Sequence, residues 1–526
     1  MKHYNLLIFN HLSVINYLRK VVLSMETWLL ILSSIFISMF LMLILSVHPK
    51  TKQLPPGPFT IPIISGFLWL RKPFTELEPA IRNIQAHYGP IITVQIGSQP
   101  SIFISSRSLA HQALIQNGAV FADRPPASAT TKIFSSNQHE INSAPYGPTW
   151  RLLRRNLTSE MLNHSRLKSY NGARKWVLNI LANRLMKSQS KSNGVKVIDH
   201  FQYAMFSMLV LMCFGDKLDE KQINQIRHLQ RPQLLTNGRF NILNFCPSIT
   251  KIVLKKWWAE FLQYRKDQED VLVPLIRARK EAKVKEEGEN YVLSYVDTLC
   301  GLELPDKKRK LTEDEIISLC SEFMNAGVDT TTTALQWIIA NIVKYPTVQE
   351  QLFVEIKGVV GETEEVREEV LQKMPYLQAV ILEGLRRHPP AHLLSPHSVT
   401  QDIILGGHVV PKKGTVNFLV ADMGWDPEVW ENPMDFKPER FLNNGNYEFD
   451  ITGSKEIKMM PFGAGRRICP GLGLALLNLK YFVANLVWKF EWRGLEGEHV
   501  DLTEKQEFTM VMKNPLKAHI SPRVVK

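Results

Sequence analysis

Cysteine is scarce in this chain of 526 residues, and no two of its five cysteines form a C-x-x-C pair. Because their number is odd and they are scattered, they argue against a disulfide framework and against a structural zinc site. We therefore expect a reducing compartment. The five are Cys213, Cys246, Cys300, Cys320 and Cys469.

Nucleotide-binding loops and repeats are also missing. No G-x-G-x-x-G motif stands at a strand-to-helix turn, so flavin and NADPH would have to come with a partner protein. The sequence shows no internal repeat, no low-complexity tract and no change of composition after about residue 60. One large catalytic domain, which we place at residues 63–526, is the simplest interpretation.

A net charge of +13 occurs without any nucleic-acid-binding motif, so we expect no nucleic-acid partner. Such a surplus suits an anionic membrane surface or an acidic protein partner. It is equally compatible with a merely solvated surface.

The run Trp28–Val47 has twenty residues without a charge. At about 1.5 Å per residue it can cross a hydrocarbon core of about 30 Å, so it predicts a transmembrane anchor at residues 28–47. A cleaved signal peptide is the alternative. The run is too long for the apolar region of such a peptide, and no clear small-residue cleavage site follows it.

A basic and proline-rich linker, residues 48–62, follows the anchor and predicts an extended spacer. Before the anchor, residues 1–24 add Lys2, Arg19 and Lys20, which spoil the charge asymmetry that would orient it. We expect Met25 to be the physiological start. The basic flank then lies after the anchor, and the catalytic domain faces the cytosol.

Cys469 stands among glycines, arginines and prolines in the segment PFGAGRRICPG, residues 461–471. A thiol must lose its proton to bind a metal, and we expect Arg466, Arg467 and the following helix N-terminus to favour the anion. The glycines at 463, 465 and 471 are expected to have positive φ and to let the backbone approach a flat ring. The alternative, a small buried hydrophobe, is the commoner fate of a free cysteine.

The spacing Phe462-x-x-Gly465-x-Arg467-x-Cys469-x-Gly471 resembles the haem-thiolate signature of the cytochrome P450 family at every fixed position. The resemblance implies that Cys469 is the axial ligand of the iron of haem b. It also implies that Phe462, Gly465 and Arg467 belong to the cofactor site, with Phe462 near the sulfur and Arg467 on a haem propionate. A thiolate ligand donates electron density to iron and so favours O–O cleavage.

The segment Thr312 to Lys344 is apolar at helical spacing, opens with a capping box of Thr312 and Glu315, and ends before Pro346. It predicts one helix of about thirty residues, unusually long for a globular protein. Its centre, AGVDTT at residues 326–331, combines a glycine with β-branched threonines, which weakens a helix.

A weak helix centre suggests a purpose there. Gly327 leaves room beside the helix, and the Thr330 hydroxyl can bond back to a carbonyl or hold water, as a pocket for O2 requires. An ordinary helix-packing glycine is the alternative. The motif is similar to that of the P450 family, which implies that Asp329 and Thr330 relay protons to bound dioxygen and that the chain is a monooxygenase.

Further cofactor contacts follow from the resemblance. Trp150 and Arg154 match the family's W-x-x-x-R helix, whose spacing lets an indole N–H and a guanidinium reach the same haem propionate. Where many members have an arginine for the propionates, this sequence has His397. We expect His397 to donate the same bond, with a charge that depends on pH.

The resemblance implies a structural role for three charged residues. Glu383 and Arg386 alone would predict a surface salt bridge worth little. The family joins such a pair to a later arginine, here Arg440, in a buried network.

Substrate contacts are expected from the loop between Phe121 and Pro148, from the long helix near Phe323, and from residues 391–397. No sequence motif in these segments identifies the substrate, because the shape of the pocket determines which substrate binds. The wall candidates, for each of which a plain core position is equally compatible, are Phe121, Phe134, Phe323, His392 and Leu394.

The resemblance covers about residue 28 to residue 523. With His397, residues 459–480 and residues 504–508, the chain looks most like the plant microsomal 89A subfamily. It implies the mainly α cytochrome P450 fold with a small β-rich lobe, preceded by a single N-terminal transmembrane helix. Periodicity alone predicts only a mainly α protein with scattered strands.

The function implied is a haem-thiolate monooxygenase of the endoplasmic reticulum membrane. It inserts one oxygen atom of O2 into an apolar plant metabolite, specialised or catabolic, with electrons from NADPH-cytochrome P450 reductase. One alternative is a haem-thiolate isomerase or dehydratase without O2, which Asp329, Thr330 and the anchor disfavour. The other is a non-catalytic haem-binding gas sensor, for which the sequence has no output segment.

Overall fold

The computed structural model of the protein describes residues 27–41, 54–59, 66, 68–69, 74–96, 99–189, 194–236, 238–285, 292–305, 308–361, 365–442 and 449–523. The predicted extension at residues 1–24, positions 42–47 of the predicted anchor and all of the linker except residues 54–59 lie outside this part of the chain.

Helices dominate the described residues. In chain order the α-helices are α1 (Thr27–Leu41), α2 (Phe74–Tyr88), α3 (Arg107–His111), α4 (Ala129–Phe134), α5 (Pro148–Asn156), α6 (His164–Ser169), α7 (Asn171–Gln189), α8 (Val197–Phe214), α9 (Glu220–Thr236), α10 (Pro247–Val253), α11 (Lys255–Lys285), α12 (Tyr295–Leu299), α13 (Glu313–Lys344), α14 (Pro346–Val360), α15 (Pro375–Arg387), α16 (Val420–Gly424) and α17 (Leu472–Lys489).

Short helical turns and strands connect these helices. The π-turns are Gln112–Gln116 and Leu157–Met161, and the 3-10 turns are Val120–Ala122, Arg239–Asn244, Glu368–Lys373, Pro438–Phe441 and Gly465–Arg467. The strands are β1 (Ile91–Ile96), β2 (Gln99–Ile104), β3 (Val195–Lys196), β4 (Glu303–Leu304), β5 (Arg309–Lys310), β6 (His397–Ser398), β7 (Ile403–Leu405), β8 (His408–Val410), β9 (Thr415–Phe418), β10 (Phe490–Arg493), β11 (Glu504–Gln506), β12 (Met510–Met512) and β13 (Lys517–Pro522).

The largest sheet has four strands in the order β1-β2-β9-β6. β1 and β2 pair antiparallel with Ile91 opposite Ile104, and β2 pairs in parallel with β9. Apolar side chains of β2 and β9 pack in a core separate from that of the helices. The remaining strands form the sheet β10-β13-β3 and three two-stranded pairs. The prediction of a mainly helical fold with a small β-rich lobe is confirmed.

Helix α13 forms the centre of the helical core, and α8 packs along it. Within the described residues, α8 is the one helix long and apolar enough to cross a membrane, with a mean hydropathy of 1.5. Because 83% of it is buried inside the protein, it is a core helix.

The predicted anchor is described in part. Helix α1 is apolar and exposed along its whole length. Part of the predicted linker contacts the folded domain. Thr93 of β1 donates its N–H to the carbonyl of Pro56 at 2.8 Å. Gly57 lies so close to this strand that a Cβ would stand 1.9 Å from the Thr93 oxygen. The prolines are therefore fixed against the sheet.

Candidate active site

Cys469 lies in the loop between the 3-10 turn Gly465–Arg467 and α17. Its N–H donates to the carbonyl of Phe462 at 2.8 Å. This bond closes the loop and places Phe462 directly beside the cysteine in space. The expected proximity of Phe462 to Cys469 thus comes from the backbone.

Two of the three loop glycines have the expected backbone conformation. Gly463 and Gly465 have a φ of +69°, whereas Gly471 has a φ of −85°, so the expectation for Gly471 was wrong. A Cβ at Gly465 would stand 2.0 Å from the carbonyl oxygen of Leu114. Gly465 is thus required where the loop meets the π-turn Gln112–Gln116.

The charge acting on the thiol comes from an unexpected arginine. Burial raises the pKa of Cys469, while the N–H of Gly471 and the guanidinium of Arg154 lower it. Arg154 donates to the carbonyl of Ile468 at 2.6 Å. The expectation that Arg466 and Arg467 favour the thiolate was wrong, because Arg154 is the arginine whose charge lowers the pKa of Cys469. Arg466 donates to the hydroxyl of Tyr146, and Arg467 donates to the carbonyl of Ala122.

Arg467 donates to three backbone carbonyls. Its partners are the oxygens of Ala122 at 2.8 Å, Ile141 at 3.0 Å and Ala144 at 2.6 Å. Burial, together with the charges of Arg124 and Arg154, lowers the pKa of Arg467 to about 9, while Asp123 and Glu322 oppose this shift. The guanidinium of Arg467 therefore holds the segment before α5 in place through three hydrogen bonds.

Arg124 is a second half-buried cation at this site. It donates to the carbonyls of Asn142, Ser395 and Pro396. Burial lowers the pKa of Arg124 to about 10, against the opposing effect of Glu322 and Asp123. None of Arg124, Arg154 and Arg467 forms an ion pair with a carboxylate in the part of the chain that is described.

Trp150 adds an unused hydrogen-bond donor. Its side chain is 6% exposed on α5, one helical turn before Arg154, and its indole N–H is buried without a partner. Arg467 lies over the indole ring, 4.5 Å from its centroid. Buried N–H groups are nearly always bonded, so this donor and the three cations fit a further anionic group.

His397 is positioned differently from the expectation. Its Nδ1 bonds to the carbonyl of Phe121 at 2.7 Å, so Nδ1 carries the proton. Burial and the charge of Arg124 lower the pKa of His397 to about 3. A neutral imidazole of this tautomer has no proton on Nε2, so at neutral pH it can accept a bond but cannot donate one to a carboxylate.

Helix α13 begins as predicted, because Thr312 and Glu315 form both bonds of a capping box. The hydroxyl of Thr330 donates to the carbonyl of Ala326 at 2.6 Å. Gly327 faces α8, where a Cβ would stand 2.8 Å from the side chain of Leu209. Close packing against α8 therefore explains Gly327, as in the alternative interpretation.

Asp329 lines a polar cavity of about 180 Å³. The cavity lies between α13, α8, α9 and the β11-β12 pair, and Arg231 and Glu507 also line it. Burial raises the pKa of Asp329, and the charge of Arg231 opposes this effect. The carboxyl of Asp329 thus has contact with a space that can hold water.

Comparison with known proteins gives the family. The family model described as cytochrome P450 matches residues 55–521. The chain belongs to the cytochrome P450 family. It is 53% identical over 508 residues to cytochrome P450 89A9 of Arabidopsis thaliana, covering 94% of this chain and 98% of that protein.

More distant P450s agree. Flavonoid 3'-monooxygenase of Arabidopsis thaliana is 30% identical, over 92% of this chain and 96% of that protein. Costunolide synthase of Cichorium intybus is 30% identical, over 95% and 99%. A solved structure of a zebra fish cytochrome P450 with progesterone has a TM-score of 0.70 at 24% identity, covering 84% of this chain and 97% of that chain. It shows the same fold.

This protein is thus a plant P450 monooxygenase of the 89A subfamily that binds haem through a cysteine thiolate. The residues present fit that cofactor. Haem carries two carboxylates, and the site has three half-buried arginines without hydrogen-bonded carboxylate partners and one buried indole N–H without a partner among the described residues.

The predicted charge network of this P450 is present. Arg386 forms two bonds to the carboxylate of Glu383, at 2.7 and 2.8 Å, and both side chains are fully buried. Arg440 reaches the same carboxylate at 3.3 Å. The network joins α15 to the 3-10 turn Pro438–Phe441, which is a structural role.

Three of the five wall candidates of this P450 are core residues. Phe121 is fully buried, Phe323 packs on Tyr295 with ring centroids 5.0 Å apart, and His392 is buried and bonded to Glu78. Phe134 packs edge-on against Phe261 in a separate cluster. Leu394 lies against Gly463 of the cysteine loop.

Sequence reasoning missed two charged residues at this site. Arg124 belongs to the segment FADRPP, and Glu322 lies in the first half of α13, next to the buried Phe323. A charged residue among apolar residues of a core helix, such as Leu319 and Phe323, was the available signal for Glu322.

Proposed function

We propose that Cys469 is the axial ligand of the haem iron, and that Trp150, Arg154 and Arg467 bind the haem carboxylates. The observation that carries the proposal is the unpartnered, buried indole N–H of Trp150 among three arginines without ion pairs. Arg124, which was not predicted, belongs to the same set. Haem bound through a thiolate supplies the activation of dioxygen at iron.

The other residues of the cysteine motif have positioning roles in this proposal. Gly465 lets the loop approach Leu114, and the carbonyl of Phe462 fixes the backbone of Cys469. Arg154 contributes twice, since it holds the carbonyl of Ile468 and stabilises the Cys469 thiolate by its charge.

Proton supply is proposed to run from the polar cavity to Asp329 and Thr330. The raised pKa of Asp329 lets its carboxyl hold a proton closer to neutral pH than an exposed aspartate does. The Thr330 hydroxyl can leave the carbonyl of Ala326 by a rotamer change and donate toward the open face of the helix.

The proton relay is testable with two variants of one residue. Thr330→Ala is expected to keep haem but to convert NADPH consumption into peroxide, whereas Thr330→Ser, which keeps the hydroxyl, should remain coupled. Peroxide released per NADPH is the measurement. Normal coupling in Thr330→Ala contradicts the relay.

Electrons are proposed to come from NADPH-cytochrome P450 reductase. Exposed arginines surround the cysteine loop and α5, which suits an acidic donor protein. They are Arg151, Arg155 and Arg466.

The proposed location is the endoplasmic reticulum membrane, with α1 as part of a single-pass anchor at residues 28–47 and the domain from residue 63 onward in the cytosol. A second exposed apolar surface supports contact with lipid, because it is flanked by Lys251 and Lys255. Its side chains are Ile242, Phe245, Ile249, Ile252 and Val253. Met25 remains the proposed start, and terminal peptides from residues 1–24 in native material would refute it.

The substrate is proposed to be an apolar organic metabolite that receives one oxygen atom of O2. The names of two relatives, flavonoid 3'-monooxygenase and costunolide synthase, support an organic metabolite as the substrate.

The first test is the difference spectrum of reduced membranes with carbon monoxide. The full chain is expected to give the red-shifted Soret band of thiolate ligation, and Cys469→Ala is expected to lose it. Cys320→Ala, which removes a buried cysteine of α13, is the matched control and should keep the band. A thiolate band in Cys469→Ala contradicts the assignment of the ligand.

A further inference from the structure

Strand β11 forms one wall of the polar cavity that Asp329 lines. Lys505 and Glu507 line this cavity and bond to each other at 2.9 Å. Because successive side chains of a strand point to opposite faces, Glu504 lies on the face away from the cavity. There it contacts the end of α15 and the loop that follows it. Whatever holds Glu504 therefore also sets the position of the cavity wall.

Three side chains hold the carboxylate of Glu504. Nδ1 of His388 lies 2.8 Å from its Oε1, and Nη1 of Arg387 lies 3.5 Å from the same oxygen. Nε2 of His392 lies 3.5 Å from its Oε2. Burial raises the pKa of Glu504, but these three neighbours together lower it below its ordinary value. The carboxylate is therefore ionised at neutral pH and accepts on both oxygens.

Helix α13 holds both strands of the β11-β12 pair. The ring of His388 stacks on the indole of Trp337 in α13, with centroids 4.0 Å apart and an interplanar angle of 2°. The same indole donates its N–H to the carbonyl of Met510 in β12 at 2.7 Å. One turn earlier in α13, the hydroxyls of Thr333 and Thr509 bond at 2.8 Å. Helix α13 thus contacts β12 directly and β11 through His388.

His392 connects Glu504 to helix α2. Its buried ring has Nδ1 at 2.8 Å from Oε1 of Glu78. Burial raises the pKa of Glu78, but His392 and Arg82 lower it below its ordinary value, so this carboxylate is also ionised. An ionised carboxylate only accepts, so Nδ1 carries a proton. The longer contact, from Nε2 to Glu504, is attractive only when Nε2 is protonated as well.

The cavity wall acts on Asp329 by charge. Arg231 and Glu507 lie 3.9 Å apart and both line the cavity. Burial raises the pKa of Asp329, Arg231 lowers it, and Glu507 raises it. A displacement of β11 changes the distance from Glu507 to this carboxyl and the space for water between them.

We propose that Glu504 is a positioning residue for the proposed proton supply. Held by His388 and His392, it fixes β11 and thereby the cavity wall next to Asp329, and the proton on Nε2 of His392 strengthens this hold. The proposal rests on the proposed role of the cavity and of Asp329.

The direction of the pH effect follows from the two contacts of His392. As the pH rises, the ring loses the proton on Nε2, because Nδ1 has the shorter contact with a carboxylate. Glu504 then faces a lone pair, so the hold on β11 weakens on the alkaline side. His388 does not add to this change, since burial lowers its pKa to about 4 although Glu504 opposes the shift. The other charged groups around His392 and Glu504 are Glu78, Arg82, Arg387 and Asp422.

Hydrogen exchange in residues 504–512 of the full-length protein with haem bound measures the hold on β11. In Glu504→Gln exchange should become about tenfold faster, as for a lost bond to a charged group. Glu491→Gln is the matched control, because it removes a carboxylate of β10 whose partner Arg493 is 69% exposed. It should leave exchange unchanged. Unchanged exchange in Glu504→Gln overturns the proposal.

His392→Gln removes the same contact from the other side and serves also if Glu504→Gln does not fold. Glutamine can keep a bond to Glu78 but cannot place a donor against Glu504 at the same time. Exchange in residues 504–512 should become about threefold faster. Combined with Glu504→Gln, it should add almost nothing, because the contact is already lost. Full additivity would show that the two side chains act independently and overturns the bridge through His392.

Peroxide released per NADPH, with reductase and without an organic substrate, reports the consequence for proton supply. Oxygen is then reduced to peroxide or to water, and proton delivery favours water. Glu504→Gln should release about twofold more peroxide per NADPH and keep the carbon monoxide band. Faster exchange with an unchanged peroxide yield overturns the positioning role, provided that Thr330→Ala raises the yield. An unchanged yield in Thr330→Ala instead overturns the proposed relay, and the role of Glu504 falls with it.

A pH profile separates this role from a loss of stability. NMR spectra of protein with isotope-labelled histidine, assigned with His392→Gln, give the pH at which the ring of His392 titrates. The peroxide yield of the unaltered protein should rise through that same pH, and His392→Gln should show no such step. A step that persists in His392→Gln, or a flat profile in the unaltered protein, overturns the proposed effect of the His392 proton.

Discussion

Two groups of arginines in this P450, one fully buried and one half-buried, differ in whether a carboxylate of the protein pairs with them. Arg386 is fully buried and has Glu383 as a two-bond partner, with its remaining donors on backbone carbonyls. Arg467 and Arg154 bond only to backbone carbonyls. The first group, here called the complete cluster, has a carboxylate partner within the protein, whereas Arg467 and Arg154, the incomplete cluster, have no hydrogen-bonded carboxylate. This difference separates a charge cluster that holds the fold from one that holds a cofactor.

The largest expected effect is on the complete cluster. Glu383→Gln leaves Arg386 buried without its counter-charge, which is expected to cost about 3–5 kcal/mol of the free energy of unfolding. The measurement is urea-induced unfolding of the haem-loaded protein in detergent.

Glu428→Gln is the matched control for that variant. Glu428 is 82% exposed and pairs with Arg107 at 3.7 Å, so its loss should change stability by less than about 1 kcal/mol. Equal effects of the two substitutions would show that the Glu383 network does not stabilise the fold as a buried unit.

Trp150→Phe tests the incomplete cluster. Phenylalanine keeps a ring under Arg467 but removes the indole N–H, which has no protein partner. The free energy of unfolding without haem should therefore not fall, while haem transfer to a scavenging protein should become about tenfold faster, as for one lost hydrogen bond to a charged group.

Trp492→Phe reverses this pattern. The indole N–H of Trp492 donates to the carbonyl of Leu486 at 3.0 Å within the core. Its loss should cost about 1–3 kcal/mol with or without haem and leave haem transfer unchanged. If Trp150→Phe destabilises the haem-free protein in the same way, its N–H is not reserved for the cofactor.

The same distinction explains what the sequence could predict. The capping box of α13 depends on two residues three positions apart, and it is present where predicted. The positive charge that lowers the pKa of Cys469 is instead that of Arg154, more than 300 positions earlier in the chain. Spacing along the chain cannot identify a partner so distant in sequence. The sequence therefore led to the wrong prediction that the adjacent Arg466 and Arg467 favour the thiolate.

Gly327 shows the opposite error. Its position beside Asp329 and Thr330 invited an explanation in terms of O2, yet Leu209 of α8 fills the space that a Cβ would need. Helix packing, which periodicity does not report, decides the identity of this residue. The charged residues Arg124 and Glu322 were missed for the same reason, since their partners are backbone groups of a loop.

His397→Asn is expected to have the smallest effect. The asparagine amide can keep the bond to the carbonyl of Phe121, and a histidine whose pKa is about 3 donates nothing to a carboxylate at neutral pH. Haem transfer should therefore stay within about threefold of the unaltered protein. Because the pKa of His397 is lowered from that of an unfolded histidine, protonation favours unfolding, and stability is lost as the pH falls from about 6.5 toward about 3. The variant should lose less stability over this range. Haem transfer more than about tenfold faster, together with proton uptake when haem binds, would show instead that the haem carboxylates charge His397 and that the incomplete cluster contains a fourth cation.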